Sequence, residues 1–236
     1  MNSASLGVRV LIFSDIHANL DALKSILQLE RFDEAIFLGD IVDYGPSPAE
    51  TLDLLMENVN IGVMGNHDYA AITGEDCRCS PEMHDLSEYS RREITLKQLS
   101  GNDLKLLGSF PESKEVNIEG RNLLLAHASP NNHLFGYLFA TEAEMVWKDQ
   151  RFKKYDYILV GHTHFPMLYR GKIINPGSAG QPRDGNWMPM YTLWDTESGD
   201  FIYKRFRYNN EQTWEKLKQL IPQDSPYLQQ LRRFYF

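Results

Sequence analysis

The sequence has little cysteine, no excess of positive charge and no long apolar run, and each shortage removes a class of protein. Two cysteines, Cys77 and Cys79, stand one residue apart in 236, whereas a disulfide framework needs more than one such close pair. They read as loop residues, and a reducing cytoplasm is the compartment this usage fits. Lysine and arginine number 24 against 32 aspartates and glutamates, a formal net charge of −8. Proteins that grip nucleic-acid backbones carry a basic face, so no nucleic-acid polymer is expected as a partner. No stretch approaches the roughly 20 apolar residues of a spanning helix. The start, Met1 to Val10, holds one arginine and a weakly apolar stretch, and Asp15 and His17 interrupt it before a secretory signal core can form. No membrane association is therefore expected.

What is present is an ordinary globular balance, 42% hydrophobic and 24% charged residues, enough for a real core, and the length suits one domain over 1–236. Val8 to Ser14 is a short apolar run rich in branched residues, the pattern of a strand buried on both faces. Asn19 can cap a helix carrying Leu20, Leu23, Ile26 and Leu27 at helical spacing. Ala35 to Leu38 and Ile61 to Met64 read as further strands. Between them Gly39 to Pro48 holds two glycines and two prolines in ten residues and must be a loop until a helix begins at Ala49. Polar residues fall repeatedly just after the strands, the edge at which open α/β sheets bind ligands.

Asp85 to Leu107 is helical in composition and highly charged, a cap or flank near 75–110. Val116 to Ile118 and Leu123 to His127 form a hairpin with Gly120 in its turn. A helix runs from Thr141 to Lys148 and a strand from Tyr157 to Val160. Beyond Met167 short alternating segments, Met167 to Tyr169, Lys172 to Ile174, Met190 to Trp194 and Phe201 to Phe206, are most simply one antiparallel sheet. The expected fold is a layered α/β (α+β) sandwich of four layers, αββα: two packed mixed sheets flanked by helices. Tyr227 to Phe236 reads as a helix folded back on the body.

Five signatures sit at predicted strand ends: Asp15-x-His17, Gly39-Asp40, Gly65-Asn66-His67-Asp68, His127 and Gly161-His162-x-His164. They hold five of the seven histidines, and only His84 and His133, read as surface residues, lie outside. Alone, Asp15 and His17 suit a helix-capping turn as well as a metal, and His162 and His164, sharing one face of a strand, suit a polar edge. Together, carboxylate, amide and imidazole donors without thiolate match manganese, iron, nickel or zinc and not a closed structural zinc site. Asp68, beside two residues already assigned, reads as a turn or supporting residue.

In order, separation and strand context these signatures, from Asp15 to the Asn175-Pro176-Gly177-Ser178 segment, resemble the calcineurin-like metallophosphoesterases. The resemblance implies one metal on Asp15, His17 and His164, a second on Asn66, His127 and His162, and Asp40 bridging them. It implies hydrolysis of a phosphate ester by a hydroxide held between the two metals. His67 would be the acid that protonates the leaving oxygen, with Asp43 orienting it; the other reading of Asp43 is a loop Asx turn. The Ser/Thr protein phosphatases of the family read Gly-Asp-x-x-Asp-Arg-Gly. Here Tyr44 replaces the phosphate-gripping arginine, which argues against protein-phosphatase activity and toward the small bacterial and archaeal phosphodiesterases. Arg183, in the Asn175 to Gly185 stretch, is a candidate for the missing charge. Small or nucleotide phosphate esters are the expected substrates. Dinucleoside polyphosphates are an alternative, as is a partner-binding scaffold that keeps the fold.

Overall fold

The computed structural model describes residues 7–236; the reading of Met1 to Val10 as lacking a signal core lies partly outside the described residues. The first strand, β1 (Arg9–Phe13), pairs in parallel with β2 (Glu34–Phe37), and β2 with the short β3 (Ile61–Gly62). The crossovers are α1 (Leu20–Leu29) and α2 (Pro48–Asn58). Asn19 caps α1 as anticipated, its side chain accepting the Ala22 N–H at 3.2 Å. Helix α3 (Asn66–Thr73) starts directly after β3, an element the sequence reading did not contain.

The chain then enters α4 (Pro81–Ser90), one π turn (Arg91–Thr95) and the short α5 (Leu96–Gln98), followed by α6 (Gly101–Leu107). The second sheet opens with the hairpin β4 (Ser113–Ile118) and β5 (Arg121–Ala126). Helix α7 (Ala140–Lys148) leads to β6 (Tyr157–Leu159), and the hairpin β7 (Pro166–Tyr169), β8 (Ile173–Pro176) completes the sheet. The hairpin β9 (Met190–Asp195), β10 (Phe201–Arg205) and helices α8 (Asn210–Leu220) and α9 (Pro226–Arg232) finish the fold.

The four late strands do not form one antiparallel sheet. The β9–β10 hairpin extends the first sheet, in the order β10-β9-β1-β2-β3, while β7 and β8 close the second, β4-β5-β6-β8-β7, with β8 parallel to β6. Local alternation identifies a hairpin but not the edge it joins, which is decided by the faces left to bury.

The layers follow from period-two geometry. Val10 and Ile12 of β1, Ile36 of β2 and Trp194 of β9 meet Leu123 and Leu125 of β5, Leu159 of β6 and Ile174 of β8 in a core between the sheets. The alternate residues Leu11, Phe13, Ala35 and Phe37 face Leu23 and Ile26 of α1 and Leu52 and Leu55 of α2. On the far side Leu124, Ile158 and Ile173 pack against Ala143 and Val146 of α7. This is the αββα order anticipated. Leu228, Leu231, Phe234 and Tyr235 are buried in the first sheet's helical layer, so the C-terminal helix does fold back on the body. Among the described residues no helix is long and apolar enough to cross a membrane.

Candidate metal centre

The loops that leave β1, β2, β3, β5 and β6 converge at one end of the sandwich, and they carry all five signatures. The β1 loop is laced to the β2 loop through Asp15 N to Gly39 O at 2.9 Å and His17 N to Asp40 O at 3.0 Å. The two sheets are joined there as well, because His162 N donates to both oxygens of Asp15 at 3.2 Å. Two glycines permit this closeness. Gly39 has φ +95°, and a Cβ on it would stand 2.7 Å from the ring of His127; a Cβ on Gly65 would stand 2.0 Å from the Asp40 carboxylate. Seven site residues that need their side chains nevertheless sit at positive φ: Asp15, His17, Asp40, Asp43, Tyr44, His162 and His164. L-residues occupy that region at a cost, and such backbone clusters at functional sites.

Asp68 organises the β2 loop. One of its oxygens accepts the N–H groups of Asp40 and Gly65 at 2.9 and 3.0 Å, the other those of Ile41 and Val42 at 2.8 and 3.2 Å. A fully buried carboxylate with four backbone donors is a supporting residue, and it turns Asp40 toward the centre.

Among the clusters that could hold a metal ion, two carry the strand-end signatures, Asp15 with His17 and His164 and Asp40 with His127 and His162, and a third brings His67 to His17 and Asp40. Asp40 Oδ2 lies 3.2 Å from His127 Nε2 and 3.7 Å from His17 Nε2, so one oxygen stands between the groups. Asn66 Oδ1 adds itself to the second group, 3.0 Å from His127 Nε2 and 3.1 Å from His162 Nδ1. Its amide nitrogen donates to Cys77 O at 2.8 Å, which fixes the orientation.

The tautomers are set from behind. His17 Nδ1 faces Val42 O at 2.9 Å, His127 Nδ1 faces Leu38 O at 2.7 Å, and His164 Nδ1 faces Gln181 O. A carbonyl only accepts, so each Nδ1 carries a proton; His17 and His164 then present the Nε2 lone pair to the centre, whereas His127 Nε2 faces the acceptors Asp40 Oδ2 and Asn66 Oδ1 and holds a second proton. His17 Nε2 and His164 Nε2 then stand 3.4 Å apart, lone pair against lone pair, with an Asp15 oxygen 3.4 Å from the latter. Such a convergence of buried acceptors has no internal hydrogen-bond solution, and a cation is what it accommodates. The donor set therefore fits divalent metals.

The proton affinities point the same way. Burial lowers His17 to about 3, and burial also holds His162 and His164 well below the usual imidazole range; all three are neutral donors at neutral pH. Burial pushes Asp15 up to about 7. At His127 burial is outweighed by the Asp40 carboxylate, and the group rises to about 9. Protons on Asp15 and His127 would therefore compete with a divalent cation for the same atoms. Manganese affinity should rise as pH increases through about 7 to 9, with protons released. Calorimetry in two buffers of different ionisation enthalpy measures the number, and equal heats in both would refute the displacement.

Behind the centre His67 Nδ1 lies 2.9 Å from Asp43 Oδ2, leaving Nε2 for an incoming molecule. Asp43 Oδ2 also receives Arg91 Nε and Nη2 at 3.1 and 2.9 Å, and Asp43 Oδ1 receives Thr95 Oγ1 at 2.9 Å. Burial alone would depress His67, but Asp40, Cys77 and Asp43 outweigh it and raise the group to about 9. The helical segment read as a mere flank therefore supports the site through Arg91, Thr95 and Ser90, whose hydroxyl receives Tyr44 N at 3.0 Å. It reaches the site because Ser87, Ser90 and Thr95 are fully buried against the β2 loop.

Tyr44 is fully buried between the rings of His17 and His67, at 4.9 and 5.0 Å, and its hydroxyl has no hydrogen-bond partner among the described residues. The guanidinium of Arg183 lies 5.8 Å over its ring and donates to Gln181 Oε1 through Nε and Nη2 at 3.2 and 2.6 Å. Arg183 is thus brought to the margin of the site, beside the residue in the arginine position of the protein phosphatases. The two cysteines are closer to the chemistry than loop residues need be: their sulfurs are 3.0 Å apart, and Cys77 Sγ is 3.2 Å from Ser87 Oγ, itself 3.4 Å from His67 Nδ1. His84 is half-buried and pairs with Asp76 at 3.3 Å and Asp85 at 3.5 Å.

The profile of the calcineurin-like phosphoesterase superfamily domain matches residues 8–199. An uncharacterized protein of Methanocaldococcus jannaschii is 34% identical over 239 residues, spanning 91% of this chain and 94% of the relative. The crystal structure of a metallophosphoesterase from Sphaerobacter thermophilus superposes with a TM-score of 0.79 at 28% identity, over 97% of this chain and 98% of the other. A hypothetical protein from Pyrococcus horikoshii shares the fold, with a TM-score of 0.79 at 19% identity over 95% and 97% of the two chains.

Proposed function

We propose that this chain, which belongs to the calcineurin-like phosphoesterase superfamily, hydrolyses small or nucleotide phosphate esters, diesters foremost, with two divalent metal ions. The observation that carries the reading is the facing Nε2 pair of His17 and His164 together with the single Asp40 oxygen between both groups. Asp15, His17 and His164 would hold one ion and Asn66, His127 and His162 the other, with Asp40 shared. Bound there, two cations would activate a water and offset charge on the phosphoryl oxygens. Two carboxylates against two divalent charges leave an excess of positive charge at the centre, which attracts a phosphate even on a chain of net charge −8.

The chain's own groups divide the remaining work. His67, protonated and held by Asp43, places an N–H where the leaving oxygen departs. Tyr44, whose phenol burial holds far above its usual pKa, stays a neutral donor with a free O–H for a phosphoryl oxygen. Arg183 supplies positive charge in place of the absent loop arginine. The substrate is a small phosphate compound and the setting cytoplasmic. A scaffold role has no observation in its favour, since all seven proposed ligands and the acid meet in one cluster.

The test is hydrolysis of bis-p-nitrophenyl phosphate, p-nitrophenyl phosphate and diadenosine tetraphosphate by metal-stripped protein restored in turn with manganese, nickel, iron and zinc. Metal-dependent turnover that disappears in Asn66→Ala is expected, with the diester preferred. Preference for diadenosine tetraphosphate would replace the diesterase reading by dinucleotide cleavage. Two bound metals without turnover on any substrate would sink the hydrolase reading.

A further inference from the structure

Beside the metal centre, on the His164 side, the surface opens into a cavity of about 490 Å³, within the range that encloses small organic ligands. Its wall is continuous with the centre along the chain. Phe165 follows the proposed ligand His164, and Arg183 lies two residues beyond Gln181, whose carbonyl orients His164. Trp187 and Phe236 add two more aromatic side chains to the lining. Phe165 and Phe236 remain 42% and 45% exposed, a large aromatic area for a chain to leave in water on one cavity.

The charge in this cavity is also unusual for an acidic chain. Among the described residues Arg183 has the Gln181 amide and the Tyr44 ring as partners. Arg233, on the opposite side, meets the weakly accepting sulfur of Met83 at 3.0 Å and the ring of Phe234 at 4.8 Å. Neither guanidinium has a carboxylate within ion-pair distance among the described residues, although Glu82 shares the lining. Aromatic faces flanked by unneutralised guanidiniums match a ligand that is planar and apolar on its faces, anionic at its ends and polar at its edge. Asn186 and Glu82 offer acceptors for exocyclic amines or ribose hydroxyls.

We propose that this cavity is the nucleoside subsite of the enzyme, and that its substrates are nucleotides. The base lies against Phe165 and Trp187, the scissile phosphate enters the metal centre past Arg183, and Arg233 receives a further anionic group. The proposal rests on the phosphoesterase reading of the neighbouring centre, but the subsite binds a nucleoside whether or not metals are present.

The experiment is calorimetric titration of the full, metal-stripped chain, in which no ligand is consumed, with adenosine monophosphate and with ribose 5-phosphate. The nucleotide should bind at least about tenfold tighter, the size that stacking on an aromatic side chain provides. Trp187→Ala and Phe165→Ala should each remove most of that difference while changing ribose 5-phosphate binding less than about twofold. Arg233→Gln, at an exposed position, should weaken adenosine diphosphate more than adenosine monophosphate. Equal affinity for nucleotide and sugar phosphate, or variants indistinguishable from wild type, would overturn the subsite. Manganese-dependent hydrolysis of bis-p-nitrophenyl phosphate, run in parallel, separates the two claims. Turnover without base-dependent binding rejects the subsite alone, and base-dependent binding without turnover rejects the hydrolase alone.

Discussion

Replacing His67 with Gln should lower kcat by roughly 10²- to 10⁴-fold, the range for loss of a positioned general acid, with the metal content unchanged. The side chain is fully enclosed, its Nδ1 held by Asp43 at 2.9 Å, and it belongs to neither ligand group proposed for the two ions. The loss should depend on the leaving group. A p-nitrophenolate departs without a proton, so its esters should suffer least, and alkyl esters most. An equal loss on both series would show that His67 binds the phosphoryl group and does not protonate the leaving oxygen. The pH profile gives a second reading. His67, raised to about 9 by Asp40, Cys77 and Asp43 against the opposing effect of burial, is charged at neutral pH, so activity should fall on the alkaline side as it deprotonates. Metal ions held at the proposed centre would offset the Asp40 charge and draw that limb downward from about 9. Asp43→Asn should draw it lower still and reduce turnover without loss of metal.

The largest effect on stability is expected at Arg91, a residue outside the proposed ligand set. Its guanidinium is buried against a fully buried Asp43, with contacts at 2.9 and 3.1 Å, and reaches Glu88 at 2.6 Å. A buried pair deprived of one partner leaves an uncompensated charge, and Arg91→Met should cost about 3–5 kcal/mol of unfolding free energy, measurable by urea denaturation. Asp43 would then have His67 as its one remaining cationic partner, so the alkaline limb of the activity profile should move upward, opposite to Asp43→Asn. A shift in the same direction for both variants would exclude Asp43 as the group that tunes His67.

These expectations show which parts of the site sequence can reveal. Asp15, His17, Asp40, Asn66, His127, His162 and His164 are visible because polar residues at the ends of apolar strands violate the local pattern, and strand ends converge in a packed sandwich. The carbonyls of Val42, Leu38 and Gln181 that choose the imidazole tautomers are invisible, since every residue has a carbonyl and only tertiary structure aims it. Arg91 and Thr95 were hidden for a different reason. They lie 48 and 52 residues beyond Asp43 in a charged helical stretch where one more arginine carries no signal, and the π turn that presents them has no sequence marker. Helix α3 was obscured by its own chemistry, because its first turn, Asn66 to Asp68, consists of polar residues required elsewhere. The late hairpins were recognisable as hairpins, but their assignment to two sheets depends on which edges the parallel strands leave open.

The left-handed backbone at Asp15, His17, Asp40, Asp43, Tyr44, His162 and His164 bears on how such a chain can change over time. At each position glycine is the residue the backbone prefers, and glycine is the one replacement that deletes the working side chain. Drift toward stability and retention of chemistry therefore pull in opposite directions at seven places within one site. A screen that selects variants only for heat resistance should collect glycines there, and the survivors should be sturdy and inert.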